Sequence, residues 1–96
     1  MKTPVIETDD FTAYYDQHGD TTFLHCDVYH YNKSVKADLQ QGLKVLLAMR
    51  QSPLFAIHER HDSKHLKFIT MLGFKYLETR LCLDNCKRDI YTTQEK

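Results

Sequence analysis

The stretch His61-Asp62-Ser63-Lys64-His65-Leu66-Lys67-Phe68-Ile69-Thr70-Met71-Leu72-Gly73-Phe74 reads as a short helix with both ends marked. Asp62 or Ser63 starts it, because a short side-chain oxygen accepts a hydrogen bond from a first-turn amide that has no partner inside the helix. Leu66, Ile69, Met71 and Leu72 form its apolar side. Gly73 stands where helices commonly end in a left-handed residue, and Phe74 can fold back onto the last turn. Ahead of it, Leu54-Phe55-Ala56-Ile57-His58-Glu59 is too short and too apolar for anything but a buried strand. Behind it, Lys75 to Leu83 is extended, with Leu77, Leu81 and Leu83 expected on one face. Strand, capped helix and strand in this order commit the chain to an α/β arrangement.

The upstream residues fit that frame. Val5-Ile6 can begin a strand, and Phe11 to Asp16 alternates and is rich in aromatics. Gln17-His18-Gly19-Asp20 is a turn, and Thr21 to Tyr31 is the longest strand, so the two strands form an antiparallel hairpin. Phe23, His25, Asp27, Tyr29 and Tyr31 fall on one face of the second strand; Leu24, Cys26, Val28 and His30 fall on the other, which a helix is expected to cover. Asn32-Lys33-Ser34 leads into a helix over Val35 to Gln51, with Val35, Leu39, Leu43, Leu46 and Leu47 at helical spacing. Gly42 costs that helix about 1 kcal/mol relative to Ala, and Ser52-Pro53 ends it. A strand, a crossover helix and the buried strand make a right-handed βαβ unit with parallel strands. After Lys75–Leu83, Asp84-Asn85-Cys86-Lys87 is a turn and Arg88 to Thr93 a last strand.

Ninety-six residues supply one small domain, with loose ends expected at 1–10 and 94–96. No apolar run is long enough to span a bilayer, and Met1-Lys2-Thr3-Pro4 lacks a signal-peptide core, so a cytoplasmic location without membrane attachment is expected. Cys26, Cys82 and Cys86 are an odd set at ordinary spacings and are expected to be reduced. A net charge of zero argues against nonspecific nucleic-acid binding. The charge is nonetheless uneven: residues 1–32 hold Lys2 against six acids. Such asymmetry suits a specific partner or an anionic ligand near the basic half, though ordinary surface scatter also produces it.

From about residue 11 to 93, the order hairpin, helix, buried strand, helix ending in Leu72-Gly73-Phe74, and hairpin resembles the core of the GNAT family of N-acetyltransferases. The resemblance implies an α/β fold, a small mixed sheet with two helices, N-terminally truncated because the family places a strand and two further helices ahead of this core. It implies acetyl-CoA as the cofactor, threaded between splayed parallel strands, with its pyrophosphate on the first-turn amides of the crossover helix. Those amides are unpaired and lie at the positive end of the helix dipole. By position the cofactor residues would be Lys33, Ser34, Val35 and Lys36, with Asp62 in the place of the Asn that opens the family's second helix. The family's phosphate loop carries glycines; Asn32-Lys33-Ser34-Val35-Lys36-Ala37-Asp38 has none. The family's mid-helix Tyr, the acid that protonates the departing thiolate, is Ile69 here. The chain is also similar, across Thr22–Glu78, to small divergent versions of this fold in bacteriophages, which would place it in a host cytoplasm or a virion.

A base for an acceptor amine would come from Asp27 or His25, on one face of the long strand, or from Glu59 at the end of the buried one. His58, His61 and His65 with Cys82 and Cys86 form no set with zinc spacing, and these histidines are expected at the surface; no metal is expected. Cys26 falls on the apolar face as a small hydrophobe. Tyr14, Tyr15, Tyr29, Tyr31, Tyr76 and Tyr91 suit core, rim or a protein interface. The reading is a degenerate, non-catalytic member of the fold that binds a protein partner or forms a homodimer. The alternative is a minimal acetyl-CoA-dependent N-acetyltransferase acting on an amine of a protein or small molecule.

Overall fold

The computed structural model describes residues 2–50, 52–58, 62–81 and 83–93. It contains β1 (Lys2–Glu7), β2 (Phe11–His18), β3 (Thr21–Val28), α1 (Lys33–Arg50), β4 (Phe55–His58), α2 (Ser63–Met71), β5 (Lys75–Leu81) and β6 (Lys87–Thr92). The strands form one mixed sheet in the order β1-β2-β3-β4-β6-β5. Its first half is an antiparallel meander. The β2–β3 hairpin closes at His18↔Thr21, with Gly19 at φ 61°, a backbone state glycine adopts without strain. Val5 and Ile6 lie in the edge strand β1, which pairs with β2.

Both helices cover the same face. Val35, Leu39, Leu43 and Leu46 of α1 join Ile69, Leu72 and Phe74 around α2, and Phe11, Ala13, Leu24 and Ala56 of the sheet, in one buried cluster. Gln40 Nε2 donates to the carbonyl of Met71 at 3.4 Å and ties one helix to the other. The two-ended helix is built as its sequence implies. Asp62, not Ser63, caps it, its carboxylate accepting from the His65 amide at 3.0 Å. At the other end the Gly73 amide bonds to Thr70 O and the Phe74 amide to Ile69 O, both at 3.0 Å, with Gly73 at φ 94°. This paired closure satisfies carbonyls the helix leaves open and drives Phe74 into the core at 2% exposure.

Four expectations are corrected. Residues 2–7 are not a loose end: they form β1 and pair with β2 from Lys2↔Asp16 to Glu7↔Thr12. The long strand stops at Val28 rather than running to Tyr31, because the amides of Tyr29 and His30 both turn to the carbonyl of Asp10. Leu77, Leu81 and Leu83 do not share a face: β5 carries a bulge between Tyr76 and Glu78, which takes Leu77 out of phase with Leu81, and all three are exposed. His58 is not at the surface. It follows Ala56 on the helix-covered side of β4 and is 3% exposed, stacked on His65 at 5.5 Å and edge-on to Tyr91 at 5.8 Å. No helix among the described residues is long and apolar enough to cross a membrane.

Candidate functional site

The site starts from a weakness in the sheet. Parallel β3 and β4 are matched at one position, Phe23↔Phe55, and then diverge. Behind the divergence lies a void of about 90 Å³ bordered by Leu24, His25, Cys26, Ala56 and Ile57 of the strands and by His65, Phe68 and Ile69 of α2. It neighbours an open cleft of about 780 Å³ between the end of β3 and α2. Cys26, Val28, Phe68 and Met71 give the cleft apolar walls, and Tyr31, Asp62, Lys64 and Lys67 stand around it. Cys26 and Val28 arrive by strand alternation; Lys64 and Lys67 share a side of α2 because residues three apart are neighbours there.

The predicted bases occupy the opposite face of the sheet. His25 and Asp27 are out of phase with Leu24 and Cys26 and project away from the helices. His25 borders the void and is half-buried, whereas Asp27 is exposed. Asp16 receives two imidazoles on one oxygen, His18 Nε2 at 3.1 Å and His25 Nε2 at 3.5 Å. The His18 bond holds the Asp16 carboxyl below its ordinary value. Burial lowers the His25 pKa, helped by Lys2 and opposed by Asp16 and Asp27, which favours the neutral, proton-accepting ring. The Tyr14 hydroxyl is raised by burial and by its neighbours Tyr29 and Asp27. Glu59 lies outside the described residues, as do His61 and Cys82. His58 and His65 do meet, Nδ1 to Nδ1 at 3.3 Å, but among the described residues no group of three or more His, Cys, Asp or Glu could hold a metal.

The start of α1, where a CoA pyrophosphate would rest, is closed by its own sequence. Asn32 Oδ1 accepts the Val35 amide at 3.0 Å, and the Asn32 carbonyl accepts the Lys36 amide at 2.9 Å. Val35 turns its side chain into the core at 2% exposure, while Lys33, Ser34 and Lys36 are exposed. At the second helix the Asp62 carboxylate is engaged as the cap. Ile69 is 3% exposed, so its position presents a buried methyl surface. The apolar cleft therefore fits a pantetheine-like arm, but the phosphate end and the acid position do not fit the family's cofactor. Sequence reasoning left Tyr31, Lys64, Lys67, Phe68 and the His58–His65 pair out of the site. The three-residue spacing of the lysines was the available signal; His58 and His65 were weighed only as metal ligands, and nothing local marks them as a stacked pair.

No family model matches the chain, and no curated protein matches it. Solved structures do. A protein named as a GnaT-family acetyltransferase from Bordetella pertussis superposes with a TM-score of 0.69 at 11% identity, over 88% of this chain and 57% of that one. The ribosomal-protein-S5-alanine acetyltransferase from Vibrio fischeri gives 0.66 at 11% identity, over 86% and 52%. A GNAT-family acetyltransferase from Bacillus anthracis gives 0.66 at 11%, over 86% and 57%. The chain spans little more than half the length of these proteins. With its mixed six-stranded sheet, its splayed parallel pair and its two helices on one face, the chain has the fold of the GNAT acetyltransferases.

Proposed function

We propose that this chain is a non-catalytic version of the acetyltransferase fold whose role is to bind a protein partner. The observation that carries this is the bond from the Val35 amide to Asn32 Oδ1. In a cofactor-binding helix that amide is kept for phosphate; here a side chain occupies it, and Asp38 adds a negative charge one turn on. Burial of Ile69 at the acid position agrees. A binding role is supported by the large apolar and aromatic side chains left exposed, among them Tyr29, Tyr31, Met49, Tyr76, Leu81 and Leu83.

The test is a calorimetric titration with acetyl-CoA and, separately, with CoA. The reading expects no saturable heat at millimolar ligand. Micromolar, one-to-one binding would overturn it.

One observation favours the alternative, acyl transfer to an amine: the β3–β4 divergence leaves His25 at the edge of a void that shares Cys26, His65 and Phe68 with the cleft. On that reading His25 or Asp27 takes a proton from an acceptor amine arriving on the helix-free face. With Ile69 in place, the leaving group would have to be protonated by water. Asp27→Asn and His25→Gln would then each cut turnover in a coupled thiol-release assay; unchanged turnover in both would exclude these bases.

A further inference from the structure

The divergence of β3 from β4 leaves a strand edge open inside the sheet. The Tyr29 amide bonds to the Asp10 carbonyl at 2.7 Å, at the end of the β2–β3 ladder. In an antiparallel ladder, residues turn their amide and carbonyl to one side and then the other by turns. That bond fixes the phase: His25 and Asp27 turn their backbone groups to β2, and Cys26 and Val28 turn theirs toward β4. The ladder with β4 ends at Phe23↔Phe55, and among the described residues no strand takes its place beside Cys26 and Val28. A void of about 90 Å³ lies there instead, bordered by Cys26 and Ile57.

This edge runs along the cleft. The Cys26 and Val28 side chains line it together with Phe68 and Met71 of α2. Lys64 and Lys67 also border it, exposed and in no ion pair among the described residues. Asp62, the carboxylate on the lining, is held by the His65 amide. A strand edge, an apolar strip and two cations thus meet in one place.

We infer that the cleft takes an extended segment of a partner protein, which adds to the inner edge of β3 as a short strand. Its alternate side chains are apolar and lie against Cys26, Val28, Phe68 and Met71, and it presents an Asp or Glu carboxylate to Lys64 and Lys67. The inference rests on the partner-binding reading above and names its surface and its chemistry. The backbone decides between occupants. A helix pairs its amides and carbonyls internally and has none for Cys26 and Val28. A fatty chain carries none, and would cover those groups without meeting them. An extended peptide meets them, its main chain supplying affinity and its alternate side chains specificity. About 780 Å³ suits a short segment of this kind.

The experiment selects short linear peptides from a displayed library on the full chain, then titrates the best one, fluorescein-labelled, by anisotropy. The expected peptide alternates apolar and polar residues and carries an acid. Methylating its backbone nitrogens one at a time should weaken binding about tenfold or more at every second position and little between, as strand addition requires. Lys64→Glu and Lys67→Glu should each weaken it about tenfold, and Leu81→Asp, on the edge strand β5, should leave it unchanged. Both lysines are exposed, and the methylated peptides test the inference on the wild-type chain in any case. Four results would overturn it: no enriched peptide; a selected peptide whose binding does not alternate with methylation; binding lost with Leu81→Asp but not with the lysine variants; or a wild-type dimer, seen in sedimentation, that Lys67→Glu dissolves, which would put a second copy in the cleft. The third moves the partner to β5 and leaves the partner-binding reading standing. Micromolar acetyl-CoA binding would remove that reading whatever the peptides do.

Discussion

Replacing Asn32 by Ala should expose what the start of α1 is for. The side chain accepts one amide at 3.0 Å, at the head of an 18-residue helix that places Val35, Leu39, Leu43 and Leu46 in the core. Loss of such a cap costs about 1 kcal/mol, within a range of about 0.5–2. Because Asn32 is exposed, water can reach part of the freed amide, which keeps the cost near the middle of that range. With a urea dependence of about 1–2 kcal/mol per molar for a chain this small, the unfolding midpoint should drop by about 0.5–1 M. Asn32→Gly should lose only a few tenths of a kcal/mol, and Asn32→Asp should stay close to wild type because it keeps the oxygen and adds a charge the helix dipole favours. The assay is urea unfolding followed by far-ultraviolet circular dichroism, paired with CoA titration of each variant. Asn32→Gly, which frees the amides without adding a side chain, should gain measurable CoA affinity relative to wild type; Asn32→Asp should not. If Asn32→Ala leaves the midpoint unmoved, the cap is not holding the helix. If wild type binds CoA as well as Asn32→Gly does, the cap is no obstacle to phosphate, and the case for a closed cradle fails.

Three further outcomes follow from particular side chains. Ile69→Tyr, which restores the family's acid, should destabilise the fold by about 1–3 kcal/mol, since a larger side chain with a hydroxyl must enter a position 3% exposed; a stable variant that turns over acetyl-CoA would contradict this. Asp84 is held down to about 2 by the two-point bond from Arg88 and by the Cys86 amide. A carboxyl lowered from an ordinary value of 3.8 stabilises the fold above that value and loses the effect as pH falls through about 2. Asp84→Asn should therefore lower the melting temperature at neutral pH and converge with wild type near pH 2; a constant difference across that range would rule out the linkage. Burial pushes the Cys26 thiol up to about 12, whereas Cys86 is an exposed cysteine. Mass mapping after brief iodoacetamide treatment near neutral pH should find Cys86 modified and Cys26 protected until denaturant is added; equal labelling would contradict a buried Cys26 thiol.

Much of the fold was legible because its signals are local. Asp62, Leu72, Gly73 and Phe74 fix both ends of α2 through bonds within one turn, so the residues alone suffice. Val35, Leu39, Leu43 and Leu46 announce α1 by spacing, and all four are buried. What stayed hidden depends on partners distant in sequence. Gly42 looks like a defect in a helix until Ile6 arrives 2.9 Å from where its Cβ would be. His58 looks like a surface residue until His65 and Tyr91 close over it. The β5 bulge is a mismatch with β6, and no pattern within Lys75–Leu81 marks it. At the site, alternation placed His25 and Asp27 on one face and Cys26 on the other, but only the structure puts His25 beside the void and sends Asn32 to the amide of Val35.

The single match between β3 and β4 also bears on how the molecule holds together. The sheet is continuous in outline but, among the described residues, is stitched across its middle at Phe23↔Phe55 alone, whereas β2 and β3 are matched along their full lengths. Each three-strand half is thus internally zipped, and the two are joined by the shared apolar layer and by α2, whose His65, Phe68 and Ile69 border both β3 and β4. Such a molecule has a seam. Force or local unfolding that lifts α2 away would let the meander β1–β3 separate from β4, β6 and β5 before either half frays, so α2 acts as the clasp of the fold.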